Sequence, residues 1–407
     1  MKNKKQKGTL LCWISLIVLN TFLVFFVIGC NSNTLVNKIF KIISLLLLIG
    51  SVIFLIIGLF LRLKYKKRIG LNKKLRVVFD ILVSLYTVGC LSFLFILYGP
   101  YKGFRDWLIT TAMSTMNHQY YCKWFYSNKL INEVLGSNYI DSGGAETDAS
   151  LVDHEEKITY ENEYEREILE REKGATYKVI RFKVNDCDAY LGVVYDPSLI
   201  SVGYTKWLGR SGQYIYDMAK EQNSVLTING GGFKDPGHNS KGADPIGVTI
   251  ANGKIISNEP VAGQWGIIGF NKENTLVLRK SVGAQNLINE GIRDAVTMGP
   301  FLIVNGKPSI VKGNGGWGIA ARTAIGQRKD GIVLFLVVDS NISRTKGATL
   351  KDLLDIMQRY GAVNASNLDG GTSSVMVENG KMINDPIDSA GRHRTRGIPT
   401  IFKVVEK

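Results

Sequence analysis

The sequence predicts an α+β domain with a mixed, multi-stranded sheet and few helices, preceded by three transmembrane helices. Three observations carry that reading: three almost purely apolar stretches in the first hundred residues, a glycine-punctuated run of short alternating segments from about residue 175 onward, and only two convincing helical patterns inside that run.

The apolar stretches run over about 9–29, 39–61 and 77–98. Each approaches the roughly 20 residues needed to cross a hydrocarbon core, and none carries the polar stripe of a helix buried in a soluble core. The formal charge of +15 points at first to a nucleic-acid partner, but its location argues otherwise. Before position 101 there are 14 basic residues against one acidic residue, Asp80, so the rest of the chain is close to neutral. The basic excess sits at Lys2, Lys4, Lys5 and Lys7 and in the loop from Arg62 to Arg76. By the positive-inside rule both segments face the cytoplasm, which predicts a multi-pass protein of the cell membrane with an extracellular C-terminal domain. A competing reading of the first stretch is a cleaved signal ending near Gly29-Cys30; it leaves the C-terminal domain outside as well.

Of five cysteines, Cys12, Cys30 and Cys90 lie in or beside the membrane, leaving Cys122 and Cys187 as the pair that an oxidising compartment would allow to bond. No Cys/His spacing suggests zinc. Residues 101–174 divide into an aromatic stretch, a linker and a stalk. Trp107, Tyr120, Tyr121, Trp124 and Phe125 suit either a segment at the bilayer interface or an ordinary packed helix. Asp141-Ser142-Gly143-Gly144-Ala145 reads as a flexible linker, and the charged run from Glu155 to Lys173 as a solvated stalk helix.

The domain over 175–407 is read from ten strand patterns: 177–184, 190–195, 224–228, 246–251, 265–270, 276–279, 301–304, 332–338, 375–378 and 401–405. Helices are predicted over 211–222 and 349–359, the second with an apolar stripe at Leu350, Leu353, Leu354 and Met357 and a capping-box start at Thr349 and Asp352.

Three clusters carry chemistry, each where a strand meets a glycine turn. In Asn229-Gly230-Gly231-Gly232-Phe233 successive glycines let the backbone approach a ligand and aim N–H groups at an anion, although a plain hairpin has the same composition. In Arg322-Thr323-Ala324-Ile325-Gly326 an arginine entering a buried strand calls for an anionic partner, either a carboxylate or a substrate phosphate. In Asn367-Leu368-Asp369-Gly370-Gly371-Thr372-Ser373-Ser374 a carboxylate on a sharp turn stands beside hydroxyl and backbone donors; the alternative is an Asx-turn.

Together these clusters resemble the phosphodiester glycosidase family, whose NGGFF-like turn, RTAIG element, VVD ending and NLDGGGSS loop match 229–233, 322–326, 337–339 and 367–374. The resemblance spans roughly 175–407. Gly232 departs from it where an aromatic is usual, widening the turn, and Thr372 replaces a glycine, adding a hydroxyl. It implies hydrolysis of a sugar 1-phosphodiester at the anomeric C–O bond. Asp369 is then the expected catalytic carboxylate, Asp339 the second candidate and His238 a candidate proton donor; an exposed loop histidine is the plainer reading of His238. Arg322, Asn229, the Gly230 and Gly231 amides and Ser373 would bind phosphate, with Thr323, Asn367, Gly370, Gly371 and Thr372 in the same site. Arg394 and Arg396 are candidates for added positive charge at the cleft, a solvated pair being the plainer reading.

No cofactor is expected, although a hard divalent cation shared by Asp339 and Asp369 is compatible with the residue types. The expected partners are the membrane and a cell-surface glycan or glycosyl phosphodiester, with no nucleic acid. A second reading is a non-catalytic binding or scaffold protein for exopolysaccharide or teichoic acid assembly. A phosphatase or nuclease would need clustered metal ligands, which four scattered histidines do not supply.

Overall fold

A computed structural model describes residues 2–32, 35–64, 73–114, 119–153, 159–234, 241–261, 265–280, 282–341, 346–388 and 391–406. The chain forms two compact units, Met1–Gly136 and Ser137–Lys407.

In the first unit the apolar runs form α1 (Lys2–Asn31), α2 (Leu35–Lys64) and α3 (Lys73–Tyr98). Within them Thr9–Asn31, Ile39–Lys64 and Lys74–Tyr98 are long and apolar enough to cross a membrane. Polar groups on α1 face α3: Trp13 Nε1 donates to Asp80 Oδ1 at 2.7 Å and Asn20 Nδ2 to Thr87 Oγ1 at 2.8 Å. Such pairs join helices that have no hydrophobic drive to associate in lipid. Leu46, Leu63 and Leu85 point outward, an apolar surface that lipid accommodates and water does not. Three shorter helices follow, α4 (Lys102–Met113), α5 (Gln119–Phe125) and α6 (Asn128–Ser137). They bury Ile109, Cys122 and Tyr126 while leaving Tyr120, Tyr121 and Trp124 exposed, so the aromatic stretch is partly a packed core and partly an open face.

The second unit is built from antiparallel strands. In chain order these are β1 (Tyr139–Asp141), α7 (Glu163–Leu169), β2 (Tyr177–Val184), β3 (Cys187–Val194), β4 (Ile200–Tyr204), α8 (Ile215–Glu221), β5 (Leu226–Asn229), β6 (Val248–Ala251), β7 (Lys254–Asn258), β8 (Gly266–Asn271) and β9 (Leu276–Lys280). The remainder are α9 (Ala284–Asn289), β10 (Ile292–Met298), β11 (Phe301–Val304), β12 (Lys307–Pro308), β13 (Ile310–Lys312), β14 (Arg322–Arg328), β15 (Val333–Val338), α10 (Leu350–Arg359), β16 (Ala362–Asn367), β17 (Met376–Glu378), β18 (Lys381–Met382) and β19 (Thr400–Val404). Three sheets result, in the orders β12-β11-β16-β14-β15-β3-β2, β18-β17-β5-β19-β4 and β7-β6-β10-β8-β9, with β1 and β13 as a separate pair.

One core is shared by all three: Phe335 and Val337, Ile228 and Phe402, and Ile268 and Phe270 pack together. The alternate residues point outward under helices. Leu334 and Leu336 meet the apolar stripe of α10, Val377 and Ile401 meet α8, and Ile250 and Ile267 meet α9. A strand covered on both faces loses its polar alternation, which is why β15 reads as the unbroken run Val-Leu-Phe-Leu-Val-Val. At α10 the capping box forms as its sequence predicts: Asp352 N donates to Thr349 Oγ1 at 3.2 Å and Thr349 N to Asp352 Oδ2 at 2.7 Å.

Several expectations need correction. The charged segment before residue 175 is exposed over most of its described residues, but its helix is docked by a buried face. Its helix is only α7; Ile168 is fully buried, Tyr164 packs edge-on against Tyr360 at 5.4 Å, and buried Glu165 lies 3.8 Å from Arg328. The linker is likewise tied down, since Asp141 closes the β1–β13 pair and Thr147 exchanges hydrogen bonds with Leu278. β14 was not expected as a strand because its ends are charged; burial is tolerated because Gln327 accepts from Leu276 N at 2.6 Å and Arg328 binds Asp330 at 2.8 Å. The predicted helix over 211–222 shortens to α8, and α9 is a third. Cys122 and Cys187 are both free thiols, each buried.

Replacing Ile168 by Ala should destabilise the second unit by about 2–5 kcal/mol, the usual cost of truncating a buried isoleucine. A lowered unfolding midpoint of the full chain in detergent checks this; an unchanged midpoint would restore the stalk reading.

Candidate active site

The three glycine-turn clusters meet at one side chain. Asn229 ends β5 fully buried, and its Nδ2 donates to the carbonyl of Asp369 at 2.7 Å. Its Oδ1 accepts from Thr323 Oγ1 at 2.7 Å and from Val375 N at 3.2 Å. Backbone bonds repeat the connection: Leu368 N reaches Thr323 O at 2.9 Å, Gly371 N reaches Ala321 O at 2.9 Å and Asp369 N reaches Gly230 O at 3.3 Å. β5, β14 and the loop after β16 are thereby locked in one place, with Asp369 half-exposed on top.

The same bonds reassign several expected ligands. Gly230 N donates to Thr400 O at 2.9 Å and Gly231 N to Thr400 Oγ1 at 3.1 Å, so these amides are spent on β19 rather than aimed at an anion. A Cβ on Gly230 would fall 2.7 Å from Thr400 Oγ1, and one on Gly231 2.7 Å from Thr297 O. The glycines serve close strand packing. Gly232 does not widen the turn either, because Trp265 fills the space: a Cβ there would lie 2.7 Å from its ring. Trp265 packs edge-on against Trp317 at 6.4 Å, beneath the Arg322 guanidinium 5.9 Å from that ring.

Arg322 is buried, and three backbone carbonyls are among its partners. Nη2 donates to Trp317 O at 2.5 Å and Gly318 O at 2.9 Å, and Nε to Ala348 O at 3.3 Å. Nη1 faces the Gly370 turn, 3.7 Å from where a Cβ on Gly370 would stand. Asn367 is also interior, donating from Nδ2 to Gly299 O at 2.8 Å, while its buried Oδ1 and the buried hydroxyl of Ser374 have no hydrogen-bond partner among the described residues. Orphaned oxygens of this kind cost about 1–3 kcal/mol each, so the loop is held at the expense of stability. Gly371 takes a left-handed φ of +65° and Ser373 is buried in the turn it begins. Among the described residues, the N–H groups of Gly370 and Thr372 meet no protein acceptor.

Asp339 is buried at the end of β15 and holds the turn before the C-terminal loop. Asn384 Nδ2 donates to its Oδ1 at 2.7 Å and Asp385 N to its Oδ2 at 3.0 Å, while Asn384 also donates to Ser374 O at 3.0 Å. Burial raises the Asp339 pKa above the usual carboxylate range, against the lowering effect of these bonds. With both oxygens already accepting, Asp339 is poorly arranged to share a cation with Asp369, and among the described residues no three His, Cys, Asp or Glu side chains converge.

The C-terminal loop returns to the site through Thr395 Oγ1, which donates to Thr372 O at 3.1 Å. Next to it Arg396 lies half-exposed over the Phe233 ring at 4.7 Å. Arg394 is instead paired with Asp388 at 2.6 Å. His238 lies outside the described residues. Sequence reasoning missed Thr400, Trp265, Asn384 and the pair formed by His393 Nδ1 and Asp385 Oδ2 at 2.6 Å. Only Asn384-Asp385-Pro386, a turn-forming string, gave a local signal.

Residues 222–405 match the family model described as phosphodiester glycosidase. Over 185 residues, 44% of this chain and 28% of the relative, the sequence is 30% identical to the SPbeta prophage-derived protein YomE of Bacillus subtilis (strain 168). Over 70 residues, 17% of this chain and 13% of the relative, it is 37% identical to N-acetylglucosamine-1-phosphodiester alpha-N-acetylglucosaminidase of Bos taurus. The chain thus spans less than a third of either relative's length. The solved catalytic domain of the zebrafish protein of that name, auto-inhibited by its pro-peptide, aligns with 58% of this chain and 86% of its own at 22% identity and a TM-score of 0.48.

Asn229→Ala should cost at least about 1–3 kcal/mol, since it strands three partner groups on β14 and the loop after β16 at once; chemical unfolding of the full chain measures it. The raised Asp339 pKa gives a second expectation. Here the folded state binds the proton more tightly, so its contribution is complete below the ordinary carboxylate range and is lost as pH rises through the raised value. Unfolding midpoints across the mildly acidic range should therefore show Asp339→Asn gaining on the parent as pH increases; parallel curves would contradict this.

Proposed function

With residues 222–405 belonging to the phosphodiester glycosidase family, we propose that this chain is a membrane-anchored extracytoplasmic hydrolase cleaving sugar-1-phosphodiester linkages in a cell-surface glycan or glycoconjugate. The junction at Asn229 carries the reading, because it sets a half-exposed carboxylate, Asp369, on a turn braced from two other strands. The basic residues at the start of α1 and those around the connection from α2 to α3 support the orientation, with the N-terminus cytoplasmic and the second unit outside.

In the proposed reaction the anomeric C–O bond breaks, its electron pair leaves with the phosphomonoester, and water delivers hydroxide to the sugar and a proton to solvent. The leaving group is already anionic, so stabilising positive charge at the anomeric carbon matters more than protonating oxygen. Asp369 faces the sugar. The Gly370 and Thr372 amides and Arg396 hold the phosphate, replacing the Gly230 and Gly231 amides in that role. Asn229, Thr323, Asn367 and Arg322 position the loop, Asp339 acts through Asn384, and His238 stays a candidate proton donor.

A binding or scaffold protein without turnover is favoured by one observation: Asn229 and Arg322 spend donors on the protein's own carbonyls. Glycosyl-1-phosphodiesters offered to the full chain in detergent separate the readings. Hydrolysis releases free sugar and phosphomonoester, and Asp369→Asn should lower kcat/KM by about 10²–10⁴-fold with binding and unfolding midpoint preserved. Binding of the same compounds by the parent chain with no release would favour the scaffold.

A further inference from the structure

The exposed edge of the β4 sheet opens onto a separate cavity of about 540 Å³. Lys206, Lys254 and Lys403 line it together with Tyr204, Gln222 and Asn252. Lys206 is committed to Glu221 at 2.6 Å. Among the described residues neither Lys254 nor Lys403 has an ion-pair partner. Lys403 is the informative one: it stands half-buried on β19, and burial lowers its pKa, against which Asp294 acts only from a distance. That carboxylate is engaged elsewhere, accepting from Val202 N at 2.9 Å, Asn252 N at 3.0 Å and Arg293 Nη1 at 2.5 Å. A concave site with a desolvated ammonium, a second ammonium at its rim and amide side chains beside them has the chemistry of an oxyanion receptor.

We propose that this cavity binds a phosphate or comparable oxyanion carried by a polyanionic glycan, giving the chain a second grip on the polymer apart from the Asn229 junction. β19 runs between the two places: Thr400 bonds the glycine turn, and Lys403, three residues on and about 10 Å along the strand, projects from the opposite face of the sheet. A sugar–phosphate chain long enough to pass round the sheet edge engages both, and two contacts on one polymer raise its effective concentration at each. The inference goes beyond the proposed hydrolysis, and its test needs no turnover.

The full chain in neutral detergent is titrated with inorganic polyphosphate and, separately, with inorganic phosphate. Saturable polyphosphate binding is expected, weakened about tenfold or more when Lys254→Gln and Lys403→Gln are combined and retained in Lys403→Arg. Removing the same charge elsewhere, with Lys307→Gln and Lys312→Gln, should leave the affinity unchanged. Inorganic phosphate should displace the polymer only at much higher concentration. Equal losses in both double variants, no loss in the first, or phosphate binding as tightly as polyphosphate would each overturn the proposal.

Discussion

The carboxamide of Asn229 is the interaction on which the rest of the second unit's candidate site depends. Its amide and oxygen reach two segments far from it in sequence: the loop after β16, through the carbonyl of Asp369 and the amide of Val375, and β14, through the hydroxyl of Thr323. Inside a low-dielectric core each bond is strong and each loss expensive, so the group cannot be replaced by a hydrocarbon of similar shape without freeing the loop. Two sheets contribute, and the turn bearing Asp369 lies where they come together.

Around that point the chain supports polar groups mainly with its own backbone. Arg322 rests on the carbonyls of Trp317, Gly318 and Ala348, the Gly230 and Gly231 amides rest on Thr400, and Asp339 holds Asn384, which holds Ser374. Three helices, each against the outer face of a different sheet, leave the central core to the strands. Among the described residues, the unpartnered oxygens of Asn367 and Ser374 fall on the same loop as Asp369.

The membrane helices, the apolar run of β15 and the capping box of α10 were legible because each is written in local periodicity or spacing. The clusters at Asn229, Arg322 and Asp369 were legible as well. Their internal economy was not, because the partners are remote: Gly231 is satisfied by a hydroxyl 169 positions away. A glycine whose amide is free and one whose amide is consumed look alike in sequence. The docking of α7 was hidden for a related reason, since its charges suggest solvent until Arg328 and Tyr360 arrive to cover Glu165 and Tyr164. β14 was hidden by its charged ends, which only tertiary partners make tolerable.

The most direct test asks which bond breaks. Hydrolysis of a glycosyl-1-phosphodiester by the full chain in heavy-oxygen water, followed by mass spectrometry of both products, should place the heavy oxygen on the anomeric carbon of the released sugar. Heavy oxygen in the phosphate would mean attack at phosphorus and would contradict a glycosidase site built around Asp369.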